Sequence, residues 1–289
     1  MRTDVFVAVT QRLPSLSPAE RRLAEKVLEE PSIVVSSTIS ALAVVCDTSQ
    51  ATVARFCKTL GFSGYKEFRM AIASAISREE TSRDQFRVAD ADISPDDSAV
   101  EVVTKVAYQE ARAIEETARS LDLDALDAAV AALRSASRIE IFGVASSGLT
   151  AQDLHLKLHR IGLSSYCWVD THLALTSVAL ARPGSVAIGI SHSGLAAETN
   201  EVLQIARRAG AMTIALTNFP HSPIGETAEL VLATSVRENR FRSGAMSSRI
   251  AQMALVDFLV VRLLQGSIDT ANEPLRATYD AVQNHRLDY

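Results

Sequence analysis

The spacing of apolar residues changes once along the chain. Before Arg138 they recur every three to four positions, which predicts α-helices, whereas afterwards short apolar runs alternate with helical segments. The predicted strands are residues 138–144, 165–169, 185–190, 211–216 and 229–233. Strands that alternate with helices of this length form a parallel sheet covered on both faces. The predicted fold class is α/β: an all-α N-terminal domain followed by a five-stranded parallel α/β sandwich.

Several helix-start signals agree near residue 17. Ser17 can cap the helix, Pro18 takes the first helical position, and Glu20 completes a capping box. Pro31 ends this helix.

Two further helices are joined by a short turn at residues 46–48. Ser49 caps the second helix, whose predicted buried face has the spacing i, i+3, i+4, i+7 in Val53, Phe56, Cys57 and Leu60. Arg55 and Lys58 lie on the opposite face, and residues 49–69 hold four basic residues and one acidic residue in a chain of net charge −5. The pattern predicts a helix-turn-helix whose second helix enters the major groove of DNA. The alternative is a small helical bundle with a solvated basic face.

Residues 79–98 are polar, acidic and aperiodic, which predicts a linker. The predicted domains are therefore residues 1–78, which contain the helix-turn-helix, and residues 99–289, which contain the sheet. Two amphipathic helices, predicted at residues 100–121 and 123–137, would pack on the sheet or at a subunit contact.

Two hydroxyl-rich turns follow predicted strands. Gly143-Val-Ala-Ser146-Ser147-Gly148 follows the first strand, and Ser191-His192-Ser193-Gly194 follows the third. Each precedes a predicted helix, at residues 149–161 and 195–209, whose first backbone N–H groups favour a phosphate or a carboxylate. Because ligands bind beyond the carboxyl ends of parallel strands, the two turns are predicted to converge on one anion site.

The run from Ser49 to Phe68 resembles the helix-turn-helix signature of RpiR/MurR-type transcriptional regulators, S-x-A-T-V-x-R-F-x-x-x-L-G-F-x-G-F/Y-x-E-F. The resemblance implies a protein that binds a double-stranded DNA operator with an inverted repeat, as a homodimer or homotetramer. The candidate DNA contacts are Ser49, Gln50, Ala51, Thr52, Arg55, Lys58, Tyr65 and Lys66.

The second half resembles the sugar isomerase (SIS) phosphosugar-binding domain of the same family. The two serine turns match its phosphate loops, and Ser248-Arg249-Ile-Ala-Gln252 with Asp257 extends the match. The resemblance implies a regulator rather than an enzyme, with no cofactor and with a phosphorylated sugar or sugar acid as effector. The implied effector contacts are Ser146, Ser147, Gly148, Ser191, His192, Ser193, Gly194 and Thr217, with Asn218 at the rim.

Two positions depart from the family pattern. Ala145 stands where the first loop often has glycine, and Ala196 stands where the second loop commonly has a threonine that holds phosphate. A lost charge-assisted hydrogen bond is worth roughly 1.5–3 kcal/mol, which favours a weaker ligand or a different anion.

Two other functions are open alternatives. The first turn also reads G-x-A-x-x-G, and Asp170 follows Gly143 by 27 residues, which is close to a dinucleotide fingerprint. An alanine replaces the glycine that would let a pyrophosphate approach the backbone. SIS domains also occur in sugar-phosphate isomerases, for which Glu198, Glu238 and His192 are the candidate acid and base groups.

The histidines, the cysteines and the apolar stretches of the chain indicate whether it holds a metal and where in the cell it is expected. His155 and His159 have i, i+4 spacing, but the sequence offers no third metal ligand nearby, so we interpret them as partly buried or interface residues. Three cysteines without C-x-x-C spacing favour reduced thiols and a cytoplasmic protein. The first residues lack the apolar core of a signal peptide, and Asp257 and Arg262 interrupt the most apolar stretch, so no membrane span is predicted.

Overall fold

The computed structural model describes residues 4–90, 92–236, 246–265 and 268–283, without the side chains of residues 268–272. The chain forms two compact units, one of Met1–Ser120 with Ser235–Ser243 and one of Leu121–Thr234 with Gly244–Tyr289. Within the described residues, no helix has both the length and the apolar character needed to cross a membrane.

The first unit is helical. Its helices are α1 (Val5–Arg12), α2 (Pro18–Glu29), α3 (Ser32–Ser36), α4 (Ile39–Val45), α5 (Gln50–Thr59), α6 (Tyr65–Phe86) and α7 (Ala99–Ser120). Helix α2 begins as predicted, because the Glu20 carboxylate accepts hydrogen bonds from the backbone N–H (3.2 Å) and the hydroxyl (2.5 Å) of Ser17.

Aromatic packing fixes α5 within this unit. Val53, Phe56 and Cys57 are fully buried, as their spacing predicted. Phe68 of α6 contacts the rings of Phe56 and Phe62 edge to face, at centroid distances of 5.8 and 5.5 Å. The opposite face of α5 stays exposed.

The boundaries differ from the sequence-based ones. Helix α6 continues to Phe86, so residues 79–86, predicted as linker, are helical. Helix α7 belongs to the first unit, which therefore extends to Ser120 instead of residue 78. The charged residues that pointed to a linker also support a helix, because Glu79 and Arg83 form an i, i+4 ion pair.

The second unit contains one parallel sheet of order β2-β1-β3-β4-β5. Its strands are β1 (Arg138–Gly143), β2 (Ser165–Trp168), β3 (Ser185–Ile190), β4 (Met212–Thr217) and β5 (Leu230–Ala233). Its helices are α8 (Leu123–Ser135), α9 (Ser146–Arg160), α10 (Thr171–Val178), α11 (Ala197–Arg208), α12 (Pro223–Thr227), α13 (Met246–Gln265) and α14 (Ile268–Asp280).

Both faces of the sheet are covered, as the strand-helix alternation predicted. Apolar residues of α8, α9 and α13 form the core on one face, and those of α10, α11 and α12 form the core on the other. The pairs Gly143 with Ile190 and Ile190 with Leu216 are in register, so β1, β3 and β4 end at the same level of the sheet.

Candidate functional sites

The two serine turns follow adjacent strands. In the order β2-β1-β3-β4-β5, the chain proceeds to one side from β1 and to the other side from β3. Ligands of open parallel sheets bind where the strand order reverses in this way, which here is beyond the carboxyl ends of β1 and β3. The two turns therefore lie at the same edge of the sheet, and their convergence on one anion site stays a prediction.

The first turn is tight and strained. Ser146 and Ser147 form the first turn of α9, which begins three residues earlier than predicted. Ala145, just before the helix, has φ 51° and ψ −124°, a conformation that suits glycine far better than alanine. A Cβ added to Gly143 would lie 2.8 Å from the Ser147 carbonyl oxygen, so only glycine fits there.

The hydroxyl of Ser146 lacks a partner among the described residues. Its Oγ is buried and makes no hydrogen bond to any residue that the structure describes. The neighbouring Ser147 Oγ accepts a hydrogen bond from Gln252 Nε2 of α13 at 3.4 Å, and Gln252 Oε1 accepts one from Thr150 at 3.2 Å. Sequence reasoning missed this role of Gln252, and the extended resemblance around Ser248 was the only signal for it.

The hydroxyl oxygens of the second turn accept hydrogen bonds from nearby backbone N–H groups. Ser191 Oγ accepts from the N–H of Gly194, and Ser193 Oγ accepts from the N–H of Leu195, both at 3.2 Å. Gly194 has φ 67°, and a Cβ there would lie 1.8 Å from Ser222 Oγ. The turn is thus held by its own backbone and by a close neighbour.

The end of β4 is joined to this turn. The carbonyl oxygen of His192 accepts hydrogen bonds from the Asn218 N–H (3.0 Å) and the Thr217 hydroxyl (3.2 Å). Thr217 therefore lies beside the second turn and is fully buried, and its contact with an effector stays a prediction.

The groups considered for other chemistries are placed elsewhere or have other partners. The Asp170 carboxylate accepts a hydrogen bond from the Leu173 N–H at 2.9 Å, which makes it the cap of α10. Glu198 is exposed in the first turn of α11, and Glu238 lies outside the described residues.

The histidine pair belongs to the side of α9. His155 Nδ1 lies 2.9 Å from Ser165 Oγ, and the His155 and His159 rings are 5.9 Å apart. Burial, together with the charge of His159, lowers the pKa of His155. Among the described residues, no three histidine, cysteine, aspartate or glutamate side chains are grouped to hold a metal ion.

The second candidate site is the outer face of α5. Ser49 caps α5 by accepting a hydrogen bond from the Thr52 N–H at 3.1 Å. The exposed residues of this predicted DNA-contacting set are Ser49, Gln50, Ala51, Arg55, Lys58 and Lys66. Tyr65 differs, because its hydroxyl lies 3.0 Å from the carbonyl oxygens of Val34 and Ser37 and so serves the packing of α6.

Arg55 is exposed but already paired. Its Nε donates to Glu20 Oε1 at 3.1 Å, while its side chain stays 61% exposed. The hydrogen bond from Ser17 lowers the pKa of Glu20, and Arg55 adds to this effect against the opposing influence of burial. Glu20 is therefore a carboxylate that both caps α2 and positions the arginine of α5.

A helical unit whose α5 has an exposed basic face, followed in the same chain by an α/β unit with two serine turns at one edge of its sheet, is typical of a DNA-binding regulator. Residues 4–79 match the helix-turn-helix domain of the rpiR family, and residues 132–262 match the SIS domain. A regulator from Caldanaerobacter subterraneus subsp. tengcongensis, named as an HTH-type transcriptional regulator, is 36% identical over 99% of both chains. The chain belongs to the rpiR family of helix-turn-helix transcriptional regulators with a SIS domain.

Two more relatives extend the comparison. The Vibrio vulnificus NanR protein in complex with ManNAc-6P has a similar structure, with a TM-score of 0.62, 26% identity, and coverage of 98% of this chain and 100% of NanR. The Bifunctional protein glk of Paraburkholderia xenovorans is 32% identical over 89% of this chain, which spans only 39% of that protein.

Proposed function

We propose that this regulator binds a phosphorylated sugar or a related sugar acid in the crevice between β1 and β3, and that this ligand controls its affinity for an operator. The observation that carries the proposal is the buried Ser146 hydroxyl, unpartnered among the described residues, at the start of α9 beside the second serine turn. The N–H groups of Ser147 and Gly148 already donate to the carbonyl oxygens of Val144 and Ala145, so the Ser146 hydroxyl and the helix dipole are what favour an anion there. The ManNAc-6P complex of NanR supports a sugar phosphate as the ligand class.

The position of each residue in the two serine turns and at the end of β4 indicates its role in the proposed site. Ser146 and Ser147 present their hydroxyls to the anion, and Gly148 lies in the same turn, with the N–H groups of Ser147 and Gly148 bonded to the carbonyl oxygens of Val144 and Ala145. The second turn and β4 line the other side of the crevice with Ser191, His192, Ser193, Gly194 and Thr217.

We further propose that α5 enters the major groove. Gln50, Ala51, Arg55 and Lys58 face the bases or phosphates, with Ser49, Thr52, Tyr65 and Lys66 at the margin. A homodimer or homotetramer would pair two such helices on an inverted repeat. Effector binding would favour one spacing of the two helices, with a coupling of about 1–3 kcal/mol.

The effector site is tested by Ser191→Ala combined with Ser193→Ala. Loss of both hydroxyls should abolish the effect of sugar phosphates on operator binding and leave effector-free binding intact. Fluorescence anisotropy of an operator selected from random DNA measures both properties. A double variant that responds like the wild type would place the pocket elsewhere.

The DNA site is tested by Arg55→Ala. We expect operator affinity to fall by about tenfold or more, because one base or phosphate contact is lost, while thermal shifts caused by sugar phosphates persist. Arg21→Ala is the matched control, since Arg21 is an exposed arginine of α2 in the same unit. Equal losses in the two variants would contradict a specific role for Arg55.

Regulation rather than catalysis is part of the proposal. The Caldanaerobacter subterraneus relative, which matches over 99% of both chains, is named as a transcriptional regulator. Incubation of the purified protein with aldose phosphates, followed by product analysis, tests the isomerase alternative. Catalytic turnover would overturn the regulator-only proposal.

A further inference from the structure

Ser248 occupies the first turn of α13 and is 1% exposed. Its Oγ is buried and has no hydrogen-bond partner among the residues that the structure describes. A buried hydroxyl without a partner is unfavourable, and native proteins rarely retain one without a reason such as a ligand.

The direction of the neighbouring helices shows where Ser248 lies. Gln252 of α13 contacts Thr150 near the start of α9 (3.2 Å), and Asp257 further along α13 contacts Lys157 further along α9 (2.5 Å). Both residue numbers rise together, so the two helices run parallel. Ser248 lies one turn before Gln252 on the same face and is therefore displaced toward the start of α9.

The start of α9 holds another such hydroxyl. Ser146 Oγ is buried there, also unpartnered among the described residues. Two parallel helices thus begin at the same end of the unit, each with an unsatisfied serine in its first turn. The positive ends of the two helix dipoles, with the two serine hydroxyls as donors, favour one anion shared between them.

The side-chain amide of Gln252 determines which atoms donate and which accept in the hydrogen bonds with Thr150 and Ser147. Its Oε1 accepts from the Thr150 hydroxyl, so its Nε2 donates to Ser147 Oγ. Because Ser147 Oγ accepts this hydrogen bond, its own hydrogen is available to a ligand. An ionised phosphoryl or carboxylate oxygen only accepts, which matches such a donor better than a sugar hydroxyl does.

From these contacts we infer that α13 forms a third wall of the effector site. Ser248 donates a hydrogen bond to an oxyanion of the effector, and Gln252 is a positioning residue that makes Ser147 a donor to the same oxyanion. This inference rests on the proposed function and adds that the anionic group lies over the starts of α9 and α13.

Ser248→Ala tests the direct contact. The full-length variant is compared with the wild type by thermal shift, in titrations of inorganic phosphate and of a panel of sugar phosphates at constant ionic strength. We expect about tenfold or weaker phosphate affinity. Without ligand, we expect a melting temperature equal to or above that of the wild type, because an orphaned hydroxyl is removed. Ser247→Ala, at the adjacent half-buried serine, should match the wild type in both measurements.

A structural role for Ser248 predicts the opposite pattern. Ser248→Ala would then melt lower without ligand and keep its affinity for phosphate, and either result overturns the direct contact. If the wild type itself responds to neither phosphate nor any member of the panel, the proposed function fails. If the wild type responds and Ser248→Ala responds equally, only the α13 contact fails.

A double-mutant cycle tests Gln252. Gln252→Ala should weaken sugar-phosphate binding in the wild-type background but have little further effect in Ser147→Ala, because Gln252 acts through that hydroxyl. Melting temperatures without ligand record any structural effect separately. Additive losses of affinity in the two backgrounds would overturn the positioning role.

Discussion

In the turn after β3, Ser191 and Ser193 accept hydrogen bonds from backbone N–H groups of the turn itself, at 3.2 Å each. In the turn after β1, the Ser146 hydroxyl has no partner in the described part of the chain, and Ala145 has a left-handed φ of 51°. The two turns are similar in sequence and lie side by side at the same edge of the sheet. One turn is stabilised internally, whereas the other keeps an unsatisfied group and backbone strain.

This contrast assigns different tasks to the two turns. A turn that is held by its own hydrogen bonds and by a glycine with a close neighbour keeps its shape whether or not a ligand is bound. An unsatisfied, strained turn gains more when an anion arrives, because the ligand supplies the missing hydrogen-bond acceptor. Ligand binding should therefore change the first turn and α9 more than the second turn and α11.

The largest effect is expected from Gly194→Ala. The new Cβ would lie 1.8 Å from Ser222 Oγ at φ 67°, so we expect a loss of about 3 kcal/mol in unfolding free energy from strain and overpacking. Gly61→Ala is the control, because Gly61 has φ 83° but nothing within 4 Å of the new Cβ, and should lose only about 1 kcal/mol. Urea denaturation measures both, and equal losses would mean that Ser222 does not lock the turn.

The second largest expected effect is a difference in unfolding free energy between substitutions of Ser191 and of Ser146. Ser191→Ala should lower the unfolding free energy by about 1 kcal/mol, because the Gly194 N–H loses its side-chain acceptor. Ser146→Ala should leave it unchanged or raise it, because no hydrogen bond to a described residue is lost. The same denaturation experiment without ligand decides this, and a clear loss in Ser146→Ala would contradict the contrast.

A smaller gain is expected from Ala145→Gly. Glycine adopts φ 51° without strain, and relief of that strain should exceed the added entropy of the unfolded chain, for a net gain of about 0.5–1 kcal/mol. Ala136→Gly is the matched control, because Ala136 has an ordinary φ of −67° and should lose stability. A loss in both variants would show that Ala145 is not strained.

The smallest expected effect is on the pH dependence of stability, and it comes from His155 of α9. The pKa of His155 lies below its ordinary value of 6.5 because of burial and, secondarily, His159. The unfolded chain therefore binds a proton more readily than the folded one, so stability falls as pH drops below about 6.5. His155→Gln should reduce this slope in denaturation curves, whereas His172→Gln, at an exposed position, should not. Identical slopes in all three proteins would contradict the assignment.

The strands could be predicted because buried parallel strands are continuous apolar runs. The place of the candidate ligand site could be predicted because the two serine turns follow strands of one parallel sheet, and ligands bind beyond the carboxyl ends of such strands. The start of α9 was predicted three residues late, because serine and glycine favour turns, and the strained Ala145 places them in a helix instead. The extent of α6 was missed because charged residues suit both a linker and an exposed helix.

Contacts between distant residues were beyond sequence reasoning. The hydrogen bonds of Gln252 to Ser147 and Thr150 span more than 100 positions, and those of the Tyr65 hydroxyl reach back to Val34 and Ser37. Such pairings depend on the packing of whole helices, which a local pattern of residue types does not encode.

The Glu20 carboxylate beside Arg55 bears on how a regulator avoids the bulk of chromosomal DNA. Arg55 already has Glu20 as a counterion before it meets DNA. Contact with an arbitrary phosphate would replace this carboxylate by another anion, and would therefore gain little binding free energy. A guanine edge in the major groove offers two acceptors in the right geometry, and that exchange is favourable. In the proposed complex with DNA, this pair would make Arg55 a discriminating contact. Lys58 and Lys66 are exposed and form no ion pair with a described residue, and they would supply the salt-sensitive attraction common to all sequences.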